Sequence, residues 1–257
     1  MLDHTKPSPR QLPFDTALIT GGSRGLGRAL ARTLALEQGV AVVLVARGAD
    51  ELDAVVQGIR AGGGQAHAIV ADVADKYATH RIAGEAAALV GDIDLLIHDA
   101  STLGPTPLRL LLDGECEDFA HVLETNLIGP YRLSKLVLGS MLVRERGTLL
   151  AISSDAAVEA YAGWGMYGVS KAALDHLVRS WAAELADTPL RLLSVDPGEM
   201  DTAMHAAALP DADPSTLARP EQVAAAIVEL LREPARVRSG ARVSAGELLA
   251  RREEVVS

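Results

Sequence analysis

Val40 to Ala46 is apolar at every position, and it is one of six short, mostly apolar runs that alternate along the chain with longer helix-period segments. A strand that is hydrophobic on both faces needs cover on both faces. A sheet gains that cover when its strands run parallel and the connecting helices cross over on either side. The six runs are Thr16 to Thr20, Val40 to Ala46, Ala66 to Val70, Leu95 to His98, Thr148 to Ser153 and Leu190 to Val195, and a seventh short strand is predicted near Ala241 to Val243. Helical periodicity fills the gaps near Gly25 to Gln38, Glu51 to Arg60, Lys76 to Leu89, Phe119 to Arg144 and Tyr167 to Ala186. A last helix is expected to open at Pro220, whose fixed φ suits a first turn, and to run to about Arg232. Between Gly198 and Arg219 the sequence turns polar and reads as a mobile loop with room for one short helix. The predicted fold class is α/β, a doubly wound parallel sheet of about seven strands with helices on both faces.

No internal stretch has the composition of a linker, so residues 15–250 are expected to form a single domain. Residues 1–14, with Pro7, Pro9 and Pro13, read as a flexible N-terminal arm, and residues 251–257 as a C-terminal tail. A chain of 257 residues is long enough to bury a substantial core, and 3% aromatic content means that Ala, Val, Leu and Ile must build it. The formal charge of −10 argues against a nucleic-acid partner, because phosphate binding needs a basic surface. A single cysteine, Cys116, allows no internal disulfide, and the N-terminal stretch has no apolar core of a signal peptide, so a cytoplasmic location is expected. No run approaches the ~20 apolar residues that span a bilayer. The seven histidines show no metal-ligand spacing, and no metal is predicted.

Directly after the first strand comes Thr20-Gly21-Gly22-Ser23-Arg24-Gly25-Leu26-Gly27, leading into a helix. Glycines at such a turn let the backbone approach a pyrophosphate, whose charge then rests on the helix N-terminus. At the end of the second strand, an acidic residue would bond the ribose 2′-hydroxyl of NAD. Ala46 and Arg47 stand there instead. Together with Arg24, Arg47 offers guanidinium groups to a 2′-phosphate, so NADP is favoured over NAD.

Tyr167-Gly168-Val169-Ser170-Lys171 opens a predicted helix, which places Tyr167 and Lys171 on one face. Bringing a phenol from its ordinary pKa to near 7 requires about 3 units, or roughly 4 kcal/mol. A cation about 4 Å away supplies a comparable amount at an effective dielectric near 20. Ser154 lies thirteen residues earlier at the tip of a strand, where open α/β sheets gather ligand-binding groups.

In this order and spacing the motifs resemble the short-chain dehydrogenase/reductase family, from Thr16 to about Val243. The resemblance implies a Rossmann-like fold and an NADP(H)-dependent oxidoreductase acting on a small carbonyl or secondary alcohol. It implies that Tyr167 is the catalytic acid/base, that Lys171 lowers its pKa and holds the nicotinamide ribose, and that Ser154 orients the carbonyl. Asn126 matches the asparagine that anchors a proton-relay water near the lysine. Asp72-Val73 resembles the adenine-contacting pair, and Pro197-Gly198 with Thr202 the segment that cradles the nicotinamide. Ser153, beside Ser154, is a decoy on spacing. Homodimers or homotetramers are implied as well, and Leu133, Leu136, Val137 and Leu138 on one long helix and Leu174, Leu177, Val178, Trp181 and Leu185 on another give each more than one apolar face.

Two departures stand out. Where the family commonly reads Asn-Asn-Ala-Gly after the fourth strand, this chain reads His98-Asp99-Ala100-Ser101. Asp99 is expected to add charge beside the adenosine half of the cofactor, Ser101 to narrow the backbone, and His98 to serve packing. Short stretches such as Gly163-Trp164-Gly165-Met166 and Ser239-Gly240-Ala241-Arg242-Val243 are similar to carbonyl and sepiapterin reductases, but Ser244 replaces the acid that would hold a pterin. Ala156, Ala157, Trp164 and Met166 offer an apolar substrate wall. An NAD-linked dehydrogenase and a catalytically silent dinucleotide-binding regulatory protein remain the rival readings.

Overall fold

Runs of Val, Leu and Ile become interior strands in the computed structural model, which describes residues 12–232 and 236–256. In chain order the elements begin with β1 (Thr16–Thr20), α1 (Gly25–Arg32), β2 (Ala41–Ala46), α2 (Ala49–Ala61), β3 (Ala66–Val70), α3 (Ala78–Val90) and β4 (Leu95–His98). They continue with α4 (Cys116–Leu123), α5 (Gly129–Val143), β5 (Thr148–Ile152), α6 (Gly165–Glu184), β6 (Arg191–Asp196), α7 (Ala203–Ala208), α8 (Pro220–Arg232), β7 (Arg242–Ser244) and α9 (Ala245–Val256). The strands form one sheet in the order β3-β2-β1-β4-β5-β6-β7. Every pairing is parallel, with Thr16 opposite Ala41 and Ala17 opposite Leu95 in the two ladders of β1.

Alternate residues of each strand enter two separate apolar layers, as period-two geometry requires. Ile19, Leu44, Ile97 and Leu150 face Leu30 of α1, Ile59 of α2 and Ile227 of α8. Leu18, Val43, Leu96 and Leu149 face Ile82 of α3, Leu133 of α5 and Leu174 of α6. The strand order reverses between β1 and β4, and at such a switch point the helices diverge to opposite faces and leave a crevice beyond the strand ends.

Several expectations are corrected. Residues 1–11 of the expected arm lie outside the described residues, but Leu12 and Phe14 are buried in the first apolar layer, so the entry to β1 is anchored. The expected tail is the end of α9, whose Leu248 and Leu249 pack on the same layer; Ser257 lies outside the described residues. The single helix expected from Phe119 to Arg144 starts at Cys116 and is interrupted by a π-helical turn over Glu124–Ile128. A second π turn, Thr33–Glu37, closes the helix that follows the glycine loop. The segment after Gly198 carries α7 and a short 3-10 turn, Pro214–Thr216, and is tied back by a bridge from Met200 to Ala218.

Candidate active site

The glycine loop folds over the sheet because the N–H groups of Gly21 and Gly22 both donate to the Val45 carbonyl, at 2.8 and 3.3 Å. Gly21 has φ +78°, and a Cβ there would lie 2.7 Å from the Ala100 nitrogen, so a side chain would push the loop off the end of β4. Gly21, Ser23, Arg24, Gly25 and Leu26 line a cleft that runs over the strand ends. Gly27 is different: a Cβ there would collide with the Gly21 carbonyl, so this glycine brings α1 close to the loop and does not itself line the cleft.

At one end of the cleft stand Arg47, Asp72 and Val73. Arg47 is 64% exposed, and its guanidinium lies 3.8 Å from the Asp72 carboxylate. Glu51 borders the same end. Asp72 also accepts from the Ala74 N–H at 2.9 Å, which turns the chain so that Val73 faces the cleft. Pro197 and Thr202 line it further along, while Gly198, in a left-handed turn at φ +70°, falls outside the lining. The Thr202 hydroxyl caps α7 by accepting from the His205 N–H.

Tyr167 and Lys171 lie in the first two turns of α6, both buried, and both face the cleft. The Lys171 ammonium donates to the Ile152 carbonyl at 2.7 Å and sits 5.6 Å from the centre of the Tyr167 ring. Burial draws its pKa down to about 8, against the opposing charges of Asp99 and Asp175. Burial also lifts the Tyr167 hydroxyl above the ordinary phenol range, and hydrogen bonds from Ser154 and Ser101 work against that rise. The Lys171 ammonium is thus tied to Ile152 while staying within reach of the Tyr167 ring.

Ser154 donates to Asp155 Oδ1 at 2.9 Å and accepts from the Ala156 N–H at 3.2 Å. Ser153 is buried with its hydroxyl committed to Asp175 Oδ2 at 2.7 Å, which leaves Ser154 as the one of the pair that meets Tyr167. Asn126 lies buried in the π turn. Its Oδ1 accepts from the Thr102 N–H at 2.8 Å and the Ser101 hydroxyl at 3.2 Å, and its Nδ2 donates to the Thr102 carbonyl and to Ser170, both at 2.9 Å. That saturates the side chain. Its side chain thereby joins the segment after β4 to α6.

Asp99 lines the cleft, its carboxyl lies under the glycine loop against Gly21 and Gly27, and desolvation holds its pKa up at about 7 against the favourable charge of Lys171. Ala100 lines the cleft next to it. His98 is buried, with Nε2 2.7 Å from the Ser134 hydroxyl, and burial pulls its pKa down to about 3. A neutral packed imidazole results, as expected. Of the apolar wall, Ala156 and Trp164 cluster with Tyr167, Leu103, Leu108 and Met204, whereas Met166 turns away onto Gly114.

Two contributors carried no signal in the sequence. Ser101 lines the cleft and donates to Asn126 Oδ1 from a position where only narrowing of the backbone was anticipated. Arg242 in β7 donates to the Ser154 carbonyl at 2.8 Å and to Asp196 at 2.9 Å, and its Nε lies 3.2 Å from Asp175. It thus backs the serine from the far edge of the sheet. No periodicity marks a lone arginine for such a role.

A parallel sheet with a glycine loop at its switch point and Ser, Tyr and Lys near the strand ends is the architecture of the dinucleotide-binding α/β class. A family profile described as short chain dehydrogenase matches residues 15–213, and the chain belongs to the short-chain dehydrogenase/reductase family. A short chain dehydrogenase of Pseudocercospora fijiensis is 34% identical over 201 residues, covering 76% of this chain and 63% of that one, so this chain spans less than two thirds of that relative. A 3-oxoacyl-[acyl-carrier-protein] reductase of Synechocystis is 34% identical over 229 residues, covering 87% and 92%. Among solved structures, a 7α-hydroxysteroid dehydrogenase with NADH and 7-oxo glycochenodeoxycholic acid superposes with a TM-score of 0.82 at 29% identity, covering 91% of this chain and 93% of that one.

Proposed function

We propose that the chain is an NADP(H)-dependent oxidoreductase acting on a small apolar carbonyl compound or the matching secondary alcohol. The observation that carries this reading is buried Tyr167 at the cleft, with Lys171 one helical turn away and its ammonium 5.6 Å from the ring centre. The cleft suits a dinucleotide. The glycine loop offers backbone close to a pyrophosphate, Asp72 and Val73 suit the adenine end, Lys171 suits a ribose, and Pro197 and Thr202 face where a nicotinamide would lie. When bound, the nicotinamide supplies or accepts hydride. Ser154 and Tyr167 hold the carbonyl oxygen, and Tyr167 gives its proton to that oxygen in reduction or takes it back in oxidation. Leu103, Leu108, Trp164 and Met204 exclude water around the reacting carbon. A ketone fits this wall, and the ligand of the solved steroid dehydrogenase is an oxo compound.

Arg24 and Arg47, both exposed at the cleft, favour the 2′-phosphate of NADP. An NAD-linked dehydrogenase is the second reading, because Asp72 and Glu51 lie beside Arg47 and offset its charge. Membrane attachment has no support among the described residues, where no helix is long and apolar enough to cross a bilayer. A cytoplasmic location is proposed on the lone, exposed Cys116.

The test is a panel of ketones, aldehydes and quinones, followed by loss of nicotinamide absorbance with each nucleotide. Tyr167→Phe should lower turnover by about 100-fold or more, the scale of lost acid–base catalysis, with nucleotide affinity nearly unchanged. Tighter binding of NADH than of NADPH would reverse the cofactor assignment, and wild-type turnover by Tyr167→Phe would refute the proposed acid.

A further inference from the structure

Three consecutive residues at the end of β5 are each tied to a different charged side chain. The Ile152 carbonyl accepts from the Lys171 ammonium at 2.7 Å, the Ser153 hydroxyl donates to Asp175 Oδ2 at 2.7 Å, and the Ser154 carbonyl accepts from an Arg242 Nη at 2.8 Å. Lys171 and Asp175 stand one turn apart on α6, so the first two ties join the strand end to the helix that carries Tyr167. Arg242 brings the third from β7 and is itself anchored. The same Nη donates to Asp196 Oδ2 at 2.9 Å, and Nε lies 3.2 Å from Asp175 Oδ2. A guanidinium is a rigid planar fork, so the two buried carboxylates that hold it also aim its bond to the Ser154 carbonyl.

The Ser153 N–H still belongs to the sheet, bonding the Val195 carbonyl at 2.8 Å, and Ser154 is the first residue beyond it. The Ser154 hydroxyl contacts Asp155 and the Ala156 N–H, which lie in the same short turn and move with it. The bond from Arg242 refers that turn to β6, β7 and α6. We propose that Arg242 is a positioning residue for the reaction: by fixing the Ser154 carbonyl it sets where the Ser154 hydroxyl meets the substrate oxygen. The proposal rests on Ser154 and Tyr167 holding that oxygen. A misplaced donor weakens the bond that matters in the transition state and leaves the apolar contacts of the ground state alone, so the effect belongs to kcat more than to KM. Arg242 does not line the cleft, so nucleotide affinity should change little.

The experiment compares wild type, Arg242→Lys, Ser154→Ala and the double variant in kcat and KM for a panel ketone, nucleotide Kd and thermal melting. Lysine keeps the charge between the carboxylates without the fork that also reaches the carbonyl. Ser-Asp occurs once in the chain, at 154–155, so ¹³C-carbonyl serine with ¹⁵N-aspartate isolates the Ser154 carbonyl in one resonance. In Arg242→Lys that resonance should move and kcat should fall about tenfold, part of what loss of the donor itself costs. KM and nucleotide Kd should stay within about twofold, and in the Ser154→Ala background the same substitution should change kcat by less than about twofold, because the group it positions is gone. A merely structural role predicts the same loss in both backgrounds. If Arg242→Lys does not fold, Asp196→Asn, which keeps the guanidinium and loosens its anchor, should show the same dependence on Ser154 at smaller amplitude. An unmoved resonance, wild-type kcat, or an equal loss in both backgrounds overturns the proposal. Wild type that turns over no ketone while the resonance moves leaves the Arg242 bond standing, and the oxidoreductase reading is then what fails.

Discussion

A carboxyl that ionises less readily inside a fold than in water makes folding pH-dependent, and Asp99 is such a group. Its folded pKa, about 7, lies above the ordinary value of 3.8. Between those values the unfolded chain has lost the proton and the folded chain has kept it, so stability falls as pH rises through the window and the penalty is complete above about 7. Asp99→Asn copies the protonated acid without the titration. It should nearly match wild type at pH 4, close to the foot of the window, and be more stable at pH 8 by about 1–2 kcal/mol, the full shift being discounted because the residue opens partly onto the cleft. For a chain of this size that is a gain of roughly 2–8 °C in melting temperature. Calorimetry at the two pH values checks it, and equal melting at pH 8 would show that Asp99 is solvated. Lys171 would lose a favourable charge in the same variant, so its pKa should drop further below 8. Only the sequence position of Asp99 was visible beforehand. Its place under the loop follows from the close approach of Gly21 and Gly27, which no spacing along the chain reveals.

At the scale of elements, the π turn between α4 and α5 decides how the cleft is supported. Gly129 opens α5 against the chain after β3, and a Cβ there would overlap the Val73 carbonyl oxygen. Gly129→Ala should therefore displace Asp72 and Val73, weaken nucleotide binding several-fold and cost about 1–3 kcal/mol of stability, as overpacking does. Nucleotide titration and thermal melting measure both effects, and an unchanged affinity would show that the two segments move independently. The strands were legible to within about a residue of their ends because burial on both faces demands unbroken apolar runs. Tyr167 and Lys171 were legible because a four-residue spacing on a helix has one geometric meaning. The π turns were not, since one extra residue in a helix leaves the local composition unchanged. Nor was α9, whose charged end reads as a tail until Leu248 and Leu249 find the core.

For the whole molecule, the apolar stripes of α5 and α6 are only partly used. Leu177, Trp181 and Leu185 pack at the margin of the second layer, Tyr131 stacks on Trp181 with ring centres 5.5 Å apart while staying 41% exposed, and Val143 is almost fully exposed. A homodimer or homotetramer that buries these faces is proposed, and light scattering should give two or four times 26.9 kDa. A mass of 26.9 kDa at micromolar concentration would mean that the stripes stay open. One feature of the far edge also sets the order in which the protein becomes competent. Every residue proposed to touch substrate or cofactor precedes position 205, yet Arg242, which bonds the Ser154 carbonyl and pairs Asp175 and Asp196, comes from the last strand. A ribosome that has made the chain as far as Met204 has made every one of those residues without the cation that holds the serine. The serine is backed only once β7 has been made and has paired with β6.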